Sequence, residues 1–112
     1  MEPAKGQSEQ LSGSVLDVTD LVEYQEGAIV SRTLLEGESS TVTVFALDAC
    51  QAISEHSAPH DALLQVLDGT GRVTIDGEPF DLTAGEALVL SADVPHAVDA
   101  PAQFTMLLTM IR

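Results

Sequence analysis

One cysteine, four basic residues and no apolar run longer than a few residues set the first limits on this chain of 112 residues. With Cys50 alone, no disulfide can close within the chain, and export to an oxidising compartment finds no support. No basic residue lies near Cys50 in sequence to hold a thiolate, so it reads as a small buried apolar residue. The lack of a long apolar run excludes a membrane-spanning helix. The first residues show no basic start followed by an apolar stretch, which points to the cytoplasm. Only Lys5, Arg32, Arg72 and Arg112 oppose 18 acidic residues, giving a formal charge of −14. A surface this negative repels phosphate backbones and anionic lipid headgroups, so neither nucleic acid nor membrane is expected as a partner. The carboxylates are scattered, as on a solvated surface. They also fit adaptation to a salt-rich environment, because salt screens their mutual repulsion.

Familiar catalytic signatures are missing too. There is no Gly-x-Ser-x-Gly elbow, no phosphate-cradling loop with a lysine, no cysteine pair and no lysine placed for imine chemistry. No stretch of ten or more residues carries the i, i+3, i+4, i+7 apolar stripe of an amphipathic helix.

What is present is a series of short β-branched and apolar runs separated by turn residues about every ten positions, the all-β pattern. Residues 1–12 read as a flexible tail and residues 13–112 as a single domain, with an edge strand and turn around Val15 to Val22. Strands are predicted at Ala28–Leu35, Thr41–Leu47, Leu63–Leu67, Arg72–Asp76, Pro79–Leu82, Ala87–Leu90, Val94–Val98 and Gln103–Ile111. In Thr41–Leu47, Val42, Val44 and Ala46 share one face, and Thr41, Thr43, Phe45 and Leu47 the other. Asp76-Gly77 supplies the left-handed conformations of a two-residue hairpin loop. Gly69-Thr70-Gly71 and Thr83-Ala84-Gly85 read as turns. So many short strands must close a core as a sandwich or a barrel, and closure protects the sheet edges.

All three histidines lie in two segments, Glu55–Gly77 (EHSAPHDALLQVLDGTGRVTIDG) and Gly85–Ala97 (GEALVLSADVPHA). Together these resemble the paired motifs of the cupin superfamily. The first family motif is His, one residue, His, three or four residues, Glu, six residues, Gly. Anchored on Gly69, it places His56 on the first histidine, Ala58 on the second and Ala62 on the glutamate. The second motif places Gly85 on its first glycine and His96 on its histidine, with Ser91, Asp93 and Ala100 where the family has proline, glycine and asparagine. Fifteen residues with the Asp76-Gly77 hairpin separate the motifs, and the likeness spans Val42 to Ile111. It implies an all-β, cupin-like β-barrel (double-stranded β-helix, or jelly roll).

The resemblance further implies an interior metal site. His56 and His96 match ligand positions, and His60, beyond Pro59, stands where it could replace a missing ligand. Three neutral imidazoles suit a divalent transition metal (Zn, Ni, Cu, Fe or Mn) rather than magnesium or calcium; with the family set depleted, a site without metal is the alternative. Gln65 is a pocket candidate, but its odd spacing from Ala62 sends it to the opposite strand face and argues against direct ligation. Glu55 and Asp61 read as surface charges. The expected function is binding of a divalent metal and a small organic ligand inside the barrel. The alternatives are a metal-free binding or sensing module and a metal-dependent oxygenase or isomerase acting on a small acid. The last strand, Gln103–Ile111, is apolar on both faces, so a homodimer is expected unless the amino-terminal segment folds over the surplus face.

Overall fold

The computed structural model describes residues 11–112. Most of the expected tail, residues 1–10, lies outside the described residues. After a single 3-10 turn at Val18–Leu21, eight strands follow: β1 (Ile29–Glu36), β2 (Ser40–Leu47), β3 (Ala52–His56), β4 (Asp61–Ile75), β5 (Glu78–Thr83), β6 (Ala87–Leu90), β7 (His96–Asp99) and β8 (Phe104–Ile111). All pairings are antiparallel, in the order β1-β2-β8-β4-β7-β3, with β5 and β6 also on β4.

β4 organises the barrel because it changes partners midway. Its first half, Asp61 to Gly69, lies against β8, with Ala62 to Gln65 also on β6; its second half, from Thr70, lies between β5 and β7. Gly69-Thr70-Gly71 is therefore not a turn, as its glycines suggested, but the bend of one continuous strand. The reason is a close approach: a Cβ on Gly71 would stand 2.5 Å from the ring of Phe104, and one on Gly69 would meet the carbonyl of Gln103. The Asp76-Gly77 hairpin forms as expected, with φ of 50° and 83°, and pairs Ile75 with Glu78.

Alternation builds two cores from one sheet. Inward residues, among them Leu47, Leu64, Val66, Val73, Leu82, Val98, Phe104 and Met106, form the barrel interior. Outward residues Val44 and Ala46 of β2 join Val22 and Leu34 in a second cluster, onto which Leu11, Val18, Leu21, Tyr24 and Leu107 pack. The two faces of β2 divide as its sequence pattern indicated.

Two expectations change. Val15 to Val22 forms no edge strand; Asp17 instead accepts from the Thr19 amide at 3.2 Å and caps the 3-10 turn. Cys50 is exposed rather than buried, because it occupies the connection from β2 to β3 with a left-handed φ of 70°. β8 lies between β2 and β4, and Leu107 on its outer side packs in the same cluster as Val22 of the amino-terminal segment.

Candidate ligand cavity and its histidine pair

β3 brings the site together, and it is the one strand with no counterpart in the sequence reading. Its short polar stretch Ala52-Ile53-Ser54-Glu55-His56 carries a bulge against β7. Ile53 pairs with Val98 and His56 with His96, so three steps on β3 match two on β7. On a regular strand Ile53 and His56 would face opposite ways; the extra residue turns both toward the interior. On β7, His96 and Val98 are two apart and share that face without a bulge.

The two imidazoles are thus cross-strand partners, with ring centroids 4.4 Å apart and planes at 68°, an edge-to-face contact. Each ring is fixed by its own backbone. His56 Nδ1 lies 2.9 Å from the Ser54 carbonyl oxygen, and His96 Nδ1 lies 3.1 Å from that of Val94. A carbonyl oxygen only accepts, so each Nδ1 carries the hydrogen and donates. In the neutral ring this leaves Nε2 as a bare acceptor, and neither Nε2 has a protein partner among the described residues.

Both rings line a cavity of about 210 Å³, together with Phe45, Ile53, Leu64, Leu90, Val98, Met106 and Leu108. Leu64, Leu90, Val98 and Met106 are buried, His96 is half-buried and His56 is exposed, so the pair stands at the mouth and the aliphatic walls lie deeper. Among the described residues the imidazoles are the only polar side chains in that lining, which contains no carboxylate, hydroxyl or thiol.

The other candidates fall elsewhere. His60 is half-buried just before β4 and does not line the cavity. Gln65 pairs with Ala87 and Leu107 and so takes the outer face, the side its spacing indicated. Asp61 accepts from the Ala92 amide at 2.8 Å, which ties the start of β4 to the loop before β7. The apolar walls went unassigned in the sequence, although alternation on β2 already put Phe45 on one face with Leu47.

The described chain resembles known proteins over most of its length. The model of the cupin domain family matches residues 43–112. The chain belongs to the cupin family. A conserved protein of unknown function from Streptococcus pyogenes shares 38% identity at a TM-score of 0.85, over 89% of this chain and 88% of that one. A cupin 2 conserved barrel domain protein from Leptotrichia buccalis shares 40% identity at a TM-score of 0.84, over 87% of this cupin but only 47% of its own length. A cupin superfamily protein from Desulfitobacterium hafniense matches at a TM-score of 0.84 with 24% identity, which speaks to the fold alone. No curated protein matches this cupin.

The residues present do not fit the four-ligand metal centre that the cupin motifs imply. Ala62, at the glutamate position, is buried and opposes Leu90 and Met110. Ala58 stands at the second histidine position, and its carbonyl accepts from the Asp93 amide at 2.7 Å. Among the described residues no three His, Cys, Asp or Glu side chains gather at one point.

Proposed function

We propose that this cupin is a small-molecule binding protein whose barrel interior receives a compact, largely apolar ligand, with the His56–His96 pair at the entrance. The observation that carries this reading is the cavity of about 210 Å³ with apolar walls and, among the described residues, two polar side chains in its lining, both imidazoles at its mouth. A preformed apolar pocket with a few oriented polar groups is the usual form of a small-ligand site. A seven-carbon aromatic such as toluene would gain roughly 4–6 kcal/mol there, a dissociation constant from about a millimolar to tens of micromolar.

Methyl NMR titration with toluene tests the proposal. The Leu64, Leu90, Val98 and Leu108 methyl signals are expected to shift saturably, and Ile53→Trp, which fills the half-buried wall, is expected to abolish the shifts. Unmoved methyl signals up to the solubility limit of toluene would overturn it.

A second reading is weak binding of a divalent transition metal through the two Nε2 atoms. It is favoured by the Nδ1-to-carbonyl bonds, since metal-binding histidines commonly fix their other nitrogen this way. Untagged protein loaded with zinc or nickel should then retain metal, and His56→Ala should release it; less than about a tenth of an equivalent after loading would end this reading.

Self-association belongs to the same proposal. Leu35, Val42, Thr109, Leu63 and Val89 are register partners in one row across five strands, on the outer face that Val42 shares with the second cluster. Leu35 and Val89 are well exposed there, which suits a twofold mate. Light scattering should give a mass near twice 11.8 kDa, and a mass near 11.8 kDa at micromolar concentration would refute the dimer.

A further inference from the structure

We infer that the polar end of the ligand is a neutral hydroxyl group, an alcohol or phenol that donates a hydrogen bond to the histidine pair, and not a carboxylate or a phosphate. This rests on the cavity reading above. The argument is an inventory of donors and acceptors at the mouth. Both Nδ1–H groups are already committed to the carbonyls of Ser54 and Val94, so each ring presents only the lone pair of Nε2. An anion entering here would bring acceptors to meet acceptors. Among the described residues no cation lines the cavity to offset it. Arg72 is held by Asp81 at 2.8 Å, Arg112 donates to the Gly37 carbonyl at 3.0 Å, and Arg32 pairs with Val44 on the outer face. A formal charge of −14 adds a repulsive field around the whole molecule.

An ammonium group is disfavoured for a different reason. It carries three donors, and two Nε2 atoms with apolar walls behind them leave at least one unsatisfied or dependent on solvent at the mouth. A hydroxyl needs one acceptor. Its apolar body can enter the aliphatic part of the cavity while its oxygen stays at the level of the two rings.

Three probes of similar size, toluene, phenol and benzoate, separate the possibilities at about pH 8, where phenol is neutral and benzoate an anion. Wild-type protein should bind phenol at least tenfold more tightly than benzoate. His56→Ala and His96→Ala should weaken phenol at least about fivefold more than they weaken toluene. Should His96→Ala not fold, the exposed His56→Ala and the wild-type ring ¹⁵N spectrum serve in its place: phenol, unlike toluene, should shift an Nε2 resonance. Benzoate binding as tightly as phenol overturns the inference and leaves the cavity reading standing. So does equal loss of phenol and toluene in the variants. Silence from all three probes overturns the cavity reading itself.

Discussion

His56 and His96 face each other across the β3–β7 ladder, 4.4 Å between ring centroids, each with Nδ1 turned back to a carbonyl two residues earlier in its own strand or loop. Two independent backbone contacts thus select one tautomer twice. Long-range ¹H–¹⁵N correlation at about pH 8 should therefore show both rings protonated at Nδ1 and bare at Nε2, against the usual preference of free imidazole for a hydrogen on Nε2. A signal for Nε2–H on either ring would show that its contact with the carbonyl is broken in solution.

Gly71 sits under a fully buried ring. A methyl at this position would lie 2.5 Å from Phe104 Cε2 and 2.7 Å from Cζ, and Phe104 has no exposed surface into which it could swing. Gly71→Ala should therefore cost roughly 1–3 kcal/mol by overpacking, read from urea unfolding. Gly37→Ala is the control: its added carbon meets nothing closer than 3.8 Å, and the change should stay within about 0.5 kcal/mol. Comparable losses at both positions would show that the Phe104 contact is not responsible, since reduced flexibility of the unfolded chain acts in the stabilising direction.

Those glycines also show how far the sequence could be read. Seven of the eight strands, the hairpin and the two-faced β2 follow from alternation and turn chemistry, which are local properties. Gly69 and Gly71 form no turn because the need for glycine comes from Phe104, more than thirty residues away. β3 was invisible for a similar reason: its pairing with β7 and its bulge supply what its own polar residues lack. His56 and His96 could still be paired because the family spacing encodes the closed barrel. Asp93 shows the same encoding in another way, since it holds the left-handed φ of 65° at a position where the family has glycine. The walls of the cavity belong to six strands and have no compact signature.

The Tyr24 hydroxyl fastens the amino-terminal segment to the sheet. It donates to Asp68 Oδ2 at 2.7 Å and accepts from Thr105 Oγ1 at 2.9 Å. Thr105 is only 3% exposed, so Tyr24→Phe strands a buried hydroxyl and should cost about 1–2 kcal/mol. Burial, with the Asp68 carboxylate beside it, pushes the Tyr24 phenol above its ordinary 10.0 even though the Thr105 bond opposes this. A raised value in the folded state means that this part of the stability is full below pH 10.0 and is lost as the pH rises through the folded value. The gap between wild type and Tyr24→Phe should narrow in that alkaline window; a constant gap would contradict the assignment.

Charge repulsion should leave a salt signature. With 18 acidic and four basic residues, screening relieves far more like-charge pairs than it weakens ion pairs. The melting temperature should rise as sodium chloride goes from about 10 mM to about 1 M, where the Debye length falls from roughly 30 Å to 3 Å. A flat or falling melting temperature would remove the case for salt adaptation.

Asp48 gives the sharpest acid-side test, because its carboxylate joins two parts of the chain that are distant in sequence. One oxygen accepts from the Gly27 amide at 2.7 Å, ahead of β1, and the other from Gln103 Nε2 at 2.9 Å, ahead of β8. The Gly27 bond, then the Gln103 bond, hold the carboxyl below its ordinary 3.8. A depressed value means that the contribution is present above 3.8 and is lost as the pH falls through the folded value. Acidification also discharges the other carboxylates and relieves repulsion, so the pH curve of the wild type alone mixes opposite trends. The difference between wild type and Asp48→Asn isolates this residue. Wild type should melt at the higher temperature near neutral pH, and the two curves should converge as the pH falls below 3.8 and through the folded value. Curves that stay parallel through that range would mean that the Asp48 contacts act through shape, with no share for the charge.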